Sequence, residues 1–198
     1  MMSLRTSTVI LTAVTVVGCV PSYQLIQPGP NYVESLELHP AQSWNKAPSS
    51  SSTDRKDSQM WTQDGLLLDR LLIVSGIPDG ESIVKSRAKD AALPVFRSDM
   101  LPNEIEELVE STIVKLYGEG EAAVSTMNLR PHRFGEQRGM LFDIEAAVTE
   151  SPNYRGLVGA FIANSELYIM MYIAVETHYF DKHLAEAETI IKGAKLAT

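Results

Sequence analysis

Cysteine is nearly absent from this chain: Cys19 is the single one among 198 residues. No internal disulfide can form, so the fold has to rest on a hydrophobic core. Export to an oxidising compartment favours paired cysteines, and an unpaired cysteine in an exported chain has a task of its own. Long apolar runs are also missing. The apolar stretch at residues 6–17, interspersed with threonines, falls far short of the ~20 residues that span a bilayer. Basic residues are outnumbered, 17 Lys and Arg against 25 Asp and Glu, for a formal charge of −8. That balance excludes general nucleic-acid binding, which rests on neutralising phosphates with basic side chains.

Catalytic and cofactor motifs are missing as well. No HExxH or Cys/His cluster is present to ligate a metal. No GxSxG elbow frames a nucleophile, and no glycine-rich loop cradles phosphate. Asp64-Gly65 and Asp79-Gly80 are turn formers without the spacing of a calcium loop. The expectation is a chain with no metal, no cofactor and no recognisable enzymatic constellation.

Residues 1–5 carry one positive charge at Arg5, residues 6–17 are mostly apolar, and Gly18-Cys19 closes the segment with a small residue before the cysteine. This is the anatomy of a secretory signal. Val16-Val17-Gly18-Cys19 resembles the lipobox of bacterial lipoproteins. The resemblance implies that the Cys19 thiol becomes a thioether to diacylglycerol, that the chain is cut before it, and that the new amino group is acylated, palmitate being the common chain. One acyl chain anchors marginally, whereas two or three hold a protein on a membrane. Val20 rather than aspartate follows the cysteine. By resemblance to proteobacterial lipoproteins, that implies the periplasmic face of the outer membrane rather than the inner membrane.

Removal of residues 1–18 leaves 180 residues at a charge of about −9, enough for one core. Residues 19–31, with three prolines and a glycine, read as a lipidated tether. Fully stretched, the dozen residues 20–31 reach roughly 40 Å. Residues 32–198 read as one globular domain.

Within that domain, residues 32–38 suggest a first strand ended by His39-Pro40, with Trp44 packing back on the core. Residues 48–57 are serine-rich and read as a surface loop. Residues 59–62 and 66–75 suggest a hairpin around Asp64-Gly65, and residues 81–85 a further strand. Residues 86–99 read as irregular, with Leu93, Val95 and Phe96 tucked in. Residues 102–117 are the strongest helix: Ile105, Leu108, Val109, Thr112, Ile113 and Leu116 share one face, Pro102 suits the first turn and Gly118 the stop.

An antiparallel meander follows. Residues 122–129 form a strand, and Arg133-Phe134 leads into a turn at residues 136–139. Met140, Phe142, Ile144 and Ala146 alternate with Leu141, Asp143 and Glu145, which marks one wet face. Strands at 154–163 and 166–175 come next, the last apolar on both faces and so central. Residues 180–195 make the closing helix, with Leu184, Ala187, Ile191 and Ala194 inward. The fold class is α+β: a single twisted, mainly antiparallel sheet carrying a mid-chain and a C-terminal helix. The early strand ending in His39-Pro40 with Trp44, the helix 102–117, the meander 122–175 and the terminal helix together resemble the PsbP-like α/β/α sandwich. That fold hosts many roles, so its presence alone implies none.

The residues with chemistry to offer are few. Arg130, His132, Arg133 and Arg138 crowd one hairpin, and Arg155 follows on the next strand. In an acidic protein this basic cluster could bind an anion or an acidic partner, or pair with nearby carboxylates such as Asp143 and Glu145. His178 and His183 flank a strand–helix junction beside Glu176 and Asp181, where capping and solvation account for them. Three functions stay open: a non-enzymatic, lipid-anchored structural or partner-binding domain in the cell envelope, favoured by the anchor; a small-ligand or anion-binding module; and an enzyme with an unfamiliar motif.

Overall fold

A computed structural model describes residues 22–48, 55–85, 93–118 and 120–197. Residues 1–18, expected to be a signal segment, the expected lipid-attachment residue Cys19 and residues 49–54 of the serine-rich loop lie outside the described residues.

The elements are β1 (Gln24–Ile26), β2 (Asn31–Val33), β3 (Leu36–Leu38), β4 (Trp44–Lys46), β5 (Ser58–Thr62), β6 (Asp69–Pro78), α1 (Pro102–Tyr117), β7 (Ala122–Phe134), β8 (Gln137–Val148), β9 (Tyr154–Ala163), β10 (Glu166–Val175), α2 (Tyr179–Gly193) and β11 (Lys195–Leu196). Eight strands form one antiparallel sheet in the order β1-β4-β5-β6-β10-β9-β8-β7. β10 lies inside it, as its two apolar faces require: Leu167 and Ile169 enter one core, Tyr168, Met170 and Tyr172 the other. α1 packs on the first face together with Ile83, Val84 and Phe96. α2 packs on the opposite face through Ala187, Ile190 and Ile191. Sheet alternation thus divides the interior into two cores, one under each helix. No helix among the described residues is long and apolar enough to cross a membrane.

The helix α1 matches its expected span to the residue. Glu104 reaches back to accept the Leu101 N–H at 2.7 Å, and Gly118, at φ 103°, donates its N–H to Val114 O at 3.0 Å. Its expected inward residue Leu116 is instead 55 % exposed, one turn beyond the buried stripe that ends at Ile113.

Six other expectations are corrected. The sheet is not single: β11, β3 and β2 form a separate three-stranded sheet over the α2 core. The stretch read as one strand, 32–38, is a hairpin turning at Glu34, whose φ is 49°. Val33 and Leu36 are an odd number of residues apart, so one strand could not bury both on one face; the turn does. The expected strand 81–85 is irregular. Its Glu81 carbonyl accepts from Phe96 N–H, and Arg55 takes the Ser82 carbonyl, so neither group enters a ladder. The expected tether 19–31 is too long, because β1 pairs with β4 from Gln24 to Ile26. The strand beginning at Ala122 runs past Leu129 to Phe134, crossing a bulge between Met127 and Arg130 and tolerating Pro131 because β7 is the sheet edge. Of the segment 93–99, Phe96 is fully buried while Val95 is exposed.

The serine-rich loop also ends more firmly than its composition suggests. Arg55 is buried and grips Asp57 through two bonds of 2.9 and 2.6 Å and Glu81 through a third of 2.9 Å. Burial alone would lower the guanidinium's pKa, but the hydrogen bonds and charges of Asp57 and Glu81 outweigh it and raise it.

Candidate functional site

The β7–β8 hairpin presents the basic residues, and strand alternation decides which of them meet. Residues directly opposite across an antiparallel pair share a face. Arg130 lies opposite Leu141, and Arg155 opposite Glu145 on one side and Ala174 on the other. Leu141 and Ala174 belong to the α2 core, so Arg130 and Arg155 stand on the α2 face. His132 joins them, its ring edge-on to Phe134 at 4.7 Å. Arg133 and Arg138 are directly opposite one another and point to the α1 face. The cluster that looked continuous in sequence is therefore two groups on opposite sides of the sheet.

On the α2 face the three basic residues of the cluster, Arg130, His132 and Arg155, are engaged. Arg130 donates to Asp143 at 3.1 Å and to Asn128 O at 2.8 Å, and the Asn128 amide donates to the other Asp143 oxygen at 2.9 Å. The bulge creates this arrangement: Asn128, at φ 57°, turns the strand so that both donors reach one carboxylate. Arg155 lies over the Phe180 ring, 4.5 Å from its centroid, and 3.8 Å from Asp181. His132 Nε2 sits 3.0 Å from Lys192 O in the last turn of α2. A carbonyl can only accept, so this nitrogen carries the proton and satisfies one of the orphan carbonyls of the helix end. Between the strands and α2 lies a cleft of about 210 Å³, where Leu157, Phe180 and Leu184 meet both arginines and the carboxylates of Asp143, Glu145 and Glu188.

On the α1 face the hairpin is different. Arg133 and Arg138 are both exposed, and neither has an ion-pair or hydrogen-bond partner among the described residues. Arg55, Arg97, Arg130 and Arg155 all have carboxylates.

A third constellation was not read from the sequence. Asp64 accepts from Lys182 Nζ at 2.7 Å and lies 2.7 Å from His183 Nε2, tying the β5–β6 turn to the first turns of α2. The Lys182 hydrogen bond holds the Asp64 carboxyl below its usual range; burial opposes this and the His183 contact reinforces it. Behind it, the buried Asp69 carboxylate accepts from Thr62 Oγ1, Gln63 N–H and Asp64 N–H. Burial, with the charges of Asp69, Asp64 and Asp181 adding to it, pushes the Tyr172 phenol well up, so it stays a donor to the Tyr179 and Phe180 carbonyls. His183 is thus a hydrogen-bond partner of Asp64 rather than a solvated or capping group, and His178, at φ 74°, enters α2 without a side-chain cap bond. No group of three or more His, Cys, Asp or Glu placed to hold a metal ion occurs among the described residues.

The architecture defines a class: two helical layers sandwiching an antiparallel sheet. Among solved structures the chain is similar to cyanobacterial PsbP (CyanoP) from Synechocystis sp. PCC 6803, with a TM-score of 0.56 at 12% identity, over 94% of this chain and 99% of that one. The fold is PsbP-like. No protein-family model matches the sequence, and no curated protein does.

Proposed function

We propose that this chain is a lipoprotein of the cell envelope, anchored through Cys19 on the periplasmic face of the outer membrane, whose PsbP-like domain binds an acidic surface of a partner protein through Arg133 and Arg138. The carrying observation is the cross-strand pairing of these two arginines without a counterion among the described residues. Like charges placed directly opposite on a sheet destabilise it, and this chain has 25 acidic side chains from which a local partner could have come. A surface that carries such repulsion in the free state gains most when a carboxylate pair arrives, because guanidinium groups bind carboxylates bidentately. Contacts of this kind govern association rate and salt dependence more than affinity alone.

Crosslinking in intact cells, followed by mass spectrometry, tests it. Wild type recovers a specific neighbour, and the Arg133→Ala/Arg138→Ala variant recovers it at least several-fold less. Equal recovery would remove the arginines from the interface, and no specific neighbour at all would end the partner reading. Cys19→Ser tests the anchor: the variant should leave the membrane fraction.

A second reading has its own observation. The cleft that contains Arg130, Arg155 and the Phe180 ring offers an apolar wall beside groups of both charges, which suits a small dipolar ligand. Such a ligand would shift the amide resonances of residues 155–157 and 180–184 and leave those of residues 133–138 unmoved.

A further inference from the structure

We propose that the β1 edge of the domain lies against the bilayer surface, with Tyr23 and Leu25 in the lipid headgroup layer. The proposal rests on the lipid anchor at Cys19 and goes beyond it to the orientation of the domain.

The argument starts from where the chain becomes fixed. Gln24 is paired with Lys46, Leu25 with Asn45 and Ile26 with Trp44. Ile26 packs on the core beside Trp44, which is fully buried. β1 is therefore part of the sheet. From Cys19 to Gln24 there are only five Cα–Cα steps, a reach of at most about 18 Å. A domain of this size has a radius of gyration near 16 Å and so a diameter of roughly 40 Å. A leash shorter than half the diameter does not let the domain present any face it pleases. It keeps the edge from which the chain emerges toward the membrane.

That edge is suited to the position. β1 is the outermost strand of the eight and, among the described residues, pairs with β4 alone. Strand alternation sends Leu25 to the face opposite Ile26. Leu25 is 59% exposed and Tyr23, two residues earlier, is 50% exposed. Tyrosine has an apolar ring and a polar tip, which is why it concentrates at membrane interfaces. The polar layer of each leaflet is about 5–7 Å deep, and Tyr23 is four residues from the anchored cysteine, within about 14 Å along the chain. The exposed apolar pair thus sits where the tether delivers it to headgroups.

The test uses the full chain made with its own signal segment and reconstituted into vesicles of phosphatidylethanolamine and phosphatidylglycerol. The thiol of Cys19 is consumed by acylation, so Leu25→Cys offers one labelling site for an environment-sensitive fluorophore. Leu116→Cys, exposed at the far end of α1, serves as the reference, and Tyr23→Cys repeats the measurement at a second exposed position. Intact mass reports acylation. Headgroup-quencher lipids should quench the labels at 25 and 23 several-fold more than the label at 116. An acylated protein whose label at 25 is quenched no more than that at 116 overturns the orientation and leaves the anchor standing. A label at 25 that is protected from both lipid and aqueous quenchers places a protein or a second copy on this edge, and also overturns it. An unacylated Cys19 overturns the anchor, and the orientation with it.

Discussion

Replacing Asp69 by asparagine should cost about 2–3 kcal/mol of stability. The Asp69 carboxylate is 1% exposed and accepts three hydrogen bonds, from Thr62 Oγ1 at 3.0 Å and Asp64 N at 2.7 Å on one oxygen, and from Gln63 N at 2.8 Å on the other. An amide of the same shape keeps an acceptor for the first two but turns an NH₂ toward the Gln63 N–H. Two charge-assisted bonds become neutral ones, and one donor faces another donor. Hydrogen bonds to charged groups contribute about 1.5–3 kcal/mol, and a desolvated donor without an acceptor costs about 1–3 kcal/mol. The cost lies in the lower part of that sum because Gln63 and Asp64 keep partial access to water. The assay is urea denaturation followed by far-UV circular dichroism. At an m-value of ~2 kcal/mol/M the midpoint should fall by roughly 1–1.5 M with m unchanged. Thr62→Val should be coupled to it, because Thr62 Oγ1 also accepts the Gly65 N–H at 2.8 Å; a double-mutant cycle should give an interaction of about 0.5 kcal/mol or more. A midpoint for Asp69→Asn within ~0.25 M of wild type, about 0.5 kcal/mol, would refute the claim that this carboxylate organises the turn.

Three further outcomes are expected. The depressed Asp64 carboxyl contributes stability that is fully present above its unfolded value, near 3.9, and is lost as pH falls through the lower folded value. Wild type and Asp64→Asn should therefore differ above about pH 5 and draw together as pH falls below about 4; a difference undiminished between about pH 5 and about pH 3 would rule out the pairing with Lys182 and His183. Gly159→Ala should destabilise by about 1–3 kcal/mol, since a Cβ there would meet Ile191 Cγ2 at 2.5 Å and Phe134 Cζ at 3.0 Å, where α2 packs on the sheet; an unchanged thermal midpoint would mean that the layer yields freely. Arg133→Ala/Arg138→Ala should unfold at the same or a higher midpoint than wild type, relieving the repulsion across β7–β8, and a lower midpoint would show that the two guanidinium groups serve the fold.

The span of α1 and the two-faced burial of β10 follow from the sequence alone, because each is written in a local period. Ile105, Leu108, Val109, Thr112 and Ile113 recur at helical spacing, and the buried residues observed are those five. Met140, Phe142 and Ile144 alternate with Leu141 and Asp143, and the two cores receive them as the alternation requires, apart from Asp143, which keeps to the wetter face with Arg130. The turn residues, the edge-tolerated Pro131 and the acidic balance are local properties too. What only tertiary structure decided is which distant groups meet. Asp64 and His183 are separated by 119 residues, Ser35 and Tyr168 by 133, and the Ala41 N–H and the Glu186 carboxylate that accepts it by 145. No period in the chain encodes such pairs, since they depend on strand order and on which face each helix covers. The same is true of the basic cluster. Sequence placed Arg130, His132, Arg133 and Arg138 within nine residues, but a pleated strand sends neighbours to opposite faces. The sheet thereby separated a neutralised set beside α2 from Arg133 and Arg138, which have no partner among the described residues, and the pairing of β1 with β4 took residues 24–26 out of the stretch expected to be a tether.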